Sequence, residues 1–357
     1  MRVLTIASEA PPIPSGVARS VGEVVSGLRH LGHDVDVVTS TDAWRRHFGE
    51  IRLSALARRW ARLEQLVNGY ELVQLHGPAP MISETLLARW RVARHDLPPL
   101  VYTHHFSLVV EGLPGVGPLY DTATKRLLGV PDVVVTTTSS YAELVRPWAR
   151  DTRVIAWGAP EPSGLERIEP YDGSRPMRVL FIGQQRPYKG VGRLVDAAAE
   201  LEQVSVTIIG KGPQLEKYQA RAAQLPNVTH LGGVDDAGVA AAIADHDVIC
   251  LPSTNRSEAF GLVLLEGMVG GCVPVASDLD GVRDVVGDGG LLVTPGDAMS
   301  LRHALVRLAG DPDLLALLAS RAARHVVTFT WDATVAAYAT LYEELAGRGV
   351  AKPQSSS

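Results

Sequence analysis

Met177-Arg178-Val179-Leu180-Phe181-Ile182-Gly183, residues 177–183, decides the fold. A short run of β-branched, aliphatic and aromatic residues stopped by glycine reads as a buried strand of a parallel sheet. It follows a stretch from Pro160 to Pro176 with four prolines, two glycines and no apolar periodicity, the composition of a linker. Strand-like runs then recur at 204–209, 228–231, 248–251, 273–276 and 291–293, with helical patterns between them. Upstream, the same alternation places strands at 3–7, 35–39, 72–75, 100–103 and 133–137. Val17, Val21, Val24, Val25 and Leu28 fall on one helical face after the first of these, and Gly32 marks its stop.

Strands alternating with helices predict α/β layers on parallel sheets. The chain has 357 residues, enough for two domains of ordinary size. The expected division is a first α/β domain over 1–165 and a second over 166–330. The polar, proline-bearing end at 351–357 reads as a disordered tail.

Composition narrows the function classes. A net charge of −5 gives no global reason to expect a nucleic-acid partner. Cys250 and Cys272 sit in apolar stretches and read as buried thiols. No stretch is long and apolar enough to span a bilayer, and residues 1–7 are too short for a signal-peptide core. The expected location is the cytoplasm. A basic, aromatic stretch from Trp44 to Arg62 includes Arg45, Arg46, Arg58, Arg59 and Trp60, diluted by Glu50. A solvated helix or an acceptor-side loop is favoured for it over a membrane-docking patch. A dinucleotide fingerprint is missing: residues 8–16 do not fit G-x-G-x-x-G, and Gly190-Val191-Gly192 lacks the third glycine.

The chemistry concentrates in Ser257-Glu258-Ala259-Phe260-Gly261-Leu262-Val263-Leu264-Leu265-Glu266. A strand ending in Leu251-Pro252-Ser253 leads through a polar loop to Glu258. Phe260, Gly261 and Leu262 are expected to form the first turn of a helix, whose amides and dipole make an anion site. Glu258 would accept hydrogen bonds from sugar hydroxyls. Glu266, two turns on and near the same face, would hold a ribose. The alternative is that Glu258 caps the helix and Glu266 lies on a solvated face. Against that, Glu266 sits among Val263, Leu264, Leu265 and Met268, where an unpartnered carboxylate is costly. Lys189 lies in a Gly-bounded loop after a strand. A nucleoside-diphosphate leaving group needs a cation or a metal, and no evident Asp-x-Asp pair stands in a donor-site setting. Lys189 fits that need; the alternative is an exposed loop lysine.

Taken together, these segments resemble retaining glycosyltransferases of the GT-B fold, glycosyltransferase family 4, over nearly the whole chain. The resemblance rests on the two-glutamate segment and on residues 179–183 with Pro187-Tyr188-Lys189-Gly190. It rests also on Ile208-Ile209-Gly210-Lys211-Gly212-Pro213, Leu291–Val293 with Pro295-Gly296-Asp297, and Phe329-Thr330-Trp331. It implies two Rossmann-like domains facing a central cleft, with a last helix at about 331–347 packing back on the first domain. It implies a nucleotide-sugar donor, UDP-sugar favoured, held by Gly183, Arg186, Lys189, Gly210, Lys211, Phe260, Gly261, Leu262 and Glu266, with Gly16 approaching from the first domain.

Glu258, Lys189 and His105 are the catalytic candidates; Ser15, His76 and His104 are the acceptor-side ones. Tyr102-Thr103-His104-His105-Phe106 resembles the family's Thr-x-His element, which maps onto His105, although His104 is adjacent. The family usually carries an arginine directly after the glycine at 183; here Gln184 stands there and Arg186 follows two places on. Thr136–Ser140 reads mainly as a helix start. No metal and no cofactor are expected, and the acceptor is a hydroxyl-bearing molecule. Two alternatives remain: a nucleotide-sugar epimerase or hydrolase of the same fold, and a catalytically silent nucleotide-sugar-binding partner.

Overall fold

The computed structural model describes residues 1–13, 15–39, 44–48, 51–55, 63–80, 82–93, 97–106, 116–161 and 169–350. The chain divides into two compact units: Met1–Trp157 with Trp331–Ser357, and Gly158–Thr330. The second begins a few residues before the boundary at 165/166 read from the linker. Most of that linker, residues 162–168, lies outside the described residues, as does the tail at 351–357.

Unit 1 holds strands β1 (Arg2–Ala7), β2 (Asp34–Thr39), β3 (Trp44–Phe48), β4 (Ile51–Ala55), β5 (Leu72–Gly77), β6 (Leu100–His104), β7 (Val133–Thr136) and β8 (Thr152–Val154). Six of them form a parallel sheet in the order β2-β1-β5-β6-β7-β8. β3 and β4 pair antiparallel, apart from that sheet. The solvated-helix reading of residues 44–55 is therefore wrong: Ile51, Leu53 and Ala55 recur at period two, the spacing of a strand. Residues 56–62, with Arg58, Arg59 and Trp60, lie outside the described residues.

Unit 2 holds β9 (Met177–Ile182), β10 (Val204–Ile209), β11 (Val228–Gly232), β12 (Val248–Leu251), β13 (Val273–Ser277) and β14 (Leu291–Val293). They too form one parallel sheet, ordered β11-β10-β9-β12-β13-β14. Both units are Rossmann-like.

The central strands of both sheets are buried on both faces because helices cover them. In unit 1, Val21, Val24, Val25 and Leu28 of the helix Gly16–His30 are buried against one face with Val3, Val35 and Val101. The last helix, Trp331–Val350, adds Val335, Tyr338, Tyr342 and Leu345 to that same cluster. Its polar side chains bond to the segment after β8 and to β6 as well. Thr334 Oγ1 donates to the Ala156 carbonyl at 2.7 Å, and the Tyr338 and Thr103 hydroxyls lie 3.1 Å apart. In unit 2, Val179, Phe181, Val206, Ile208 and Val248 meet Leu194, Leu301 and Leu305 in a second core. Among the described residues no helix is long and apolar enough to cross a membrane.

Sheet order fixes where ligands can sit. In each unit the chain winds first to one side of its opening strand and then to the other. The crevice at that change of direction, outside the carboxyl ends of the strands, is where open α/β sheets bind ligands. In unit 2 the change falls between β9 and β12; in unit 1 it falls between β1 and β5.

Candidate active site

The loops after β9 and β12 bring the two strongest candidates of unit 2 together. Lys189 Nζ donates to Glu258 Oε2 at 2.6 Å, although 69 residues separate them. Both side chains are largely withdrawn from solvent, at 17% and 11% exposure, so neither is a loose surface charge. Burial works against the Lys189 ammonium, but the Glu258 carboxylate, helped by Tyr188, outweighs it and raises the lysine above its ordinary value. The ammonium also lies 5.4 Å from the centre of the Tyr188 ring.

Backbone contacts hold the two loops against each other. Thr254 N–H donates to the Tyr188 carbonyl at 2.7 Å. Gly190 adopts φ +71°, and a Cβ there would stand 1.9 Å from the Pro252 carbonyl oxygen. Only glycine permits that approach, and it sits directly after Lys189. Asn255 closes the next turn, its Oδ1 accepting from Ser257 N–H at 2.9 Å.

Glu258 does not cap the following helix. That helix runs Leu262–Val269 and is preceded by Gly261 at φ +83°, with no side-chain cap. Phe260 therefore lies outside the helix rather than in its first turn, and is buried edge-on against Phe329 with ring centres 6.2 Å apart. The left-handed glycine between Phe260 and Leu262 delays the helix start by two residues relative to the expected first turn at Phe260. Glu258 and Glu266 consequently share no helical face; Glu266 is half-buried on the helix itself.

Around β9 and β10, Gly183 and Gly210 touch. Gly210 has φ +138°, and a Cβ on it would stand 1.9 Å from the Gly183 carbonyl oxygen. The Lys211 carbonyl accepts from Gln185 N–H at 3.0 Å, which ties this second loop to the one carrying Lys189. Arg186 Nε donates to Gln184 Oε1 at 2.9 Å, so the residue standing where the family's arginine usually lies orients the arginine two places on.

Unit 1 is built differently. Ser15 precedes the helix Gly16–His30; its Oγ accepts from Ala18 N–H at 3.1 Å and donates to Glu9. Gly16 is the exposed first residue of that helix. His76, near the end of β5, and His105, just after β6, meet ring to ring: His76 Nδ1 lies 2.8 Å from His105 Nε2. His105 also packs on Trp157, with centres 5.3 Å apart. His104 turns instead to Tyr102 and Tyr141, which separates the two neighbouring histidines. Burial lowers His76 to about 3 and, with the neighbouring histidines, holds His105 well below its ordinary value. Both are neutral near pH 7. Thr138 caps the helix Ser139–Val145, accepting from Tyr141 N–H at 3.3 Å.

Sequence reading passed over two groups. Ser253, fully buried two residues past β12, donates to Glu258 Oε2 at 3.1 Å. Its signal was its place immediately after a strand beside the change of direction. Gln185, also fully buried, donates to the Gly210 carbonyl at 3.0 Å and meets His230. Among the described residues no three His, Cys, Asp or Glu side chains are grouped so as to hold a metal ion.

Comparison with known proteins identifies the family. The family model for Glycosyl transferase 4-like domains matches residues 15–158, and that for Glycosyl transferases group 1 matches residues 176–311. The phosphatidyl-myo-inositol mannosyltransferase of Mycobacterium leprae is 31% identical over 319 residues, covering 82% of this chain and 77% of that protein. Among solved structures, a sucrose-phosphate synthase from Thermosynechococcus elongatus superposes with a TM-score of 0.76 at 21% identity, covering 97% of this chain and 99% of the other. Alr3699/HepE from Anabaena, in complex with UDP, gives 0.72 at 20% identity over 97% and 100%. At such identities these two structures speak for the fold alone. Fold and family matches converge: the chain belongs to the group 1 (family 4) glycosyl transferases and is a glycosyltransferase of the GT-B fold.

Proposed function

We propose that the protein transfers a hexosyl or N-acetylhexosaminyl group from a nucleoside-diphosphate sugar to an acceptor hydroxyl, with retention at the anomeric carbon. The observation that carries this reading is the buried Lys189–Glu258 pair between β9 and β12. A cation suited to a departing diphosphate beside a carboxylate suited to sugar hydroxyls supports this reading. UDP-hexose is the donor to try first, in keeping with the UDP bound by the Anabaena structure. The mannosyl transfer in the name of the Mycobacterium leprae relative makes a mannosyl donor the second. For the acceptor, that relative's name points to a cyclitol-bearing molecule, and a small polyol or a natural-product intermediate fits the same chemistry.

In the proposed reaction the bond between the anomeric carbon and the phosphate oxygen breaks, and the acceptor oxygen bonds to that carbon on the same face. The acceptor proton passes to the departing diphosphate oxygen. Lys189 stabilises the charge that grows on the leaving group, and positioned charges of this kind supply much of the rate. Arg186, its Nε–H held by Gln184, presents the outer edge of its guanidinium to the same diphosphate. Glu258 orients the sugar, and Glu266 holds the ribose. The neutral His105, bonded to His76, is the hydrogen-bonding group that unit 1 offers to the reaction. With Lys189 and Arg186 as the cations, no metal is called on in this reading, and rates in excess EDTA should equal those with added Mg²⁺.

The test is a screen of UDP-, GDP- and dTDP-sugars against polyol and natural-product acceptors, read by mass spectrometry, with the product anomer assigned by NMR. An acceptor-dependent glycoside of retained configuration is expected. Donor epimerised or hydrolysed without acceptor dependence, or bound without turnover, would replace this reading with the corresponding alternative.

A further inference from the structure

We propose that Ser253 is the positioning residue of Glu258, and that its hydroxyl, rather than Lys189, keeps the carboxylate in place while the donor is bound. The inference rests on the transfer reading above. Both donors converge on one atom: Lys189 Nζ reaches Glu258 Oε2 at 2.6 Å and Ser253 Oγ reaches it at 3.1 Å. A carboxylate oxygen accepts about two hydrogen bonds, so Oε2 is filled. Oε1 has no partner among the described residues and is the oxygen left for sugar hydroxyls.

The two anchors differ in what else they must do. Lys189 carries its charge on a flexible four-carbon stem and has three protons to donate. In the proposed reaction it is also claimed by the diphosphate, whose charge grows as the bond breaks. Ser253 has no second task and little freedom. It is fully buried and follows β12, whose last residue, Leu251, is registered against Ala276 of β13. The next residue, Thr254, is tied to the Tyr188 carbonyl through its backbone N–H. When Lys189 turns towards phosphate, the serine bond still fixes which way Oε1 points. Ser253 thus couples to the sugar half of the donor and not to the nucleotide half.

The test uses the full-length chain carrying Ser253→Ala, Ser253→Thr or Ser253→Cys, with UDP and UDP-glucose as probes, or GDP and GDP-mannose if the wild type uses that pair. Ser253→Ala should lower kcat/KM by about 10-fold, the scale of one hydrogen bond to a charged group. Affinity for the free nucleoside diphosphate should stay within about twofold of wild type. Ser253→Thr, which keeps the hydroxyl, should recover most of the loss. Ser253→Cys, similar in size but a weak donor, should not, and it carries the test should the alanine variant misfold. In a Glu258→Ala background Ser253→Ala should cost nothing further, because the group it positions is gone. Wild-type kcat/KM in Ser253→Ala or Ser253→Cys, or a full additional loss on top of Glu258→Ala, overturns the proposal and leaves the transfer reading standing. A wild-type protein that turns over no nucleotide sugar overturns the transfer reading itself.

Discussion

In unit 2 the loops after β9 and β12 deliver a cation and an anion, Lys189 and Glu258, locked 2.6 Å apart. In unit 1 the corresponding pair of strands, β1 and β5, delivers a serine-capped helix start and a histidine that burial keeps neutral. The two sheets obey one winding rule and place their candidates at the same kind of crevice, yet one end joins a cation to an anion, whereas the other holds a carboxylate, Glu9, bonded to the serine cap, and a neutral histidine. That contrast sorts the work. In the proposed reaction the departing diphosphate needs compensating charge, whereas the acceptor hydroxyls are to be met by neutral partners that both donate and accept. Two hydrogen-bonded neutral imidazoles share one N–H between them and keep one outer donor and one outer acceptor.

The most severe way to break the contrast is to remove the charges. Lys189→Ala and Glu258→Ala should each lower kcat/KM by at least about 100-fold, the scale of lost transition-state contacts. Because the two groups touch, the double variant should lose much less than the product of the single losses. Steady-state kinetics on all three proteins checks this. Near-normal activity in either single variant would remove that residue from the site.

A second prediction separates the units by pH. His76 binds its proton at about 3 in the folded chain and near 6.5 when unfolded. Below pH 6.5 the unfolded state therefore takes up a proton that the folded state refuses, and stability falls as pH falls, down to about pH 3. Between pH 7 and pH 5 His76 alone should cost about 2 kcal/mol. His105, shifted the same way, adds to that loss. Lys189 is shifted oppositely: its folded value is raised, so its contribution is present below its unfolded value and is lost as pH rises through the folded one. Hydrogen exchange should find unit 1 loosening in mild acid and unit 2 in strong alkali. Urea titrations of His76→Leu should show a smaller drop in stability from pH 7 to pH 5 than wild type. An equal drop would mean that His76 is not buried neutral.

Much of this was legible in the residues. Runs such as Val204–Ile209 and Val248–Leu251 are dense in β-branched residues and coincide with β10 and β12 residue for residue. β8 was not legible. Thr152-Arg153-Val154 has no apolar run, and it is a strand only because β7 offers it an edge. Lys189 and Glu258 could each be picked out, but not their contact, because adjacency of β9 and β12 is a property of winding order, which no local pattern carries. Ser253 was hidden for the same reason. His104 and His105 could not be told apart by adjacency; what distinguishes them is which rings each one meets.

The smallest effect concerns Glu266, and it tests whether unit 2 grips the nucleotide with more than charge. Glu266 lies half-buried on the helix Leu262–Val269, whose first residue follows the left-handed Gly261. The apolar neighbours Leu264 and Leu265 are fully buried beside it, which restricts where its carboxylate can go. If it accepts the two ribose hydroxyls, Glu266→Ala should weaken binding of the nucleoside diphosphate by about 10-fold, the scale of hydrogen bonds to a charged group. Since ribose is held alike before and during transfer, kcat at saturating donor should barely change. Calorimetry with the nucleoside diphosphate and with the corresponding 2′-deoxy compound reads this directly. The deoxy compound should bind wild type and variant more nearly alike. Unchanged affinity in Glu266→Ala would strike the ribose assignment while leaving Lys189 and Glu258 in place.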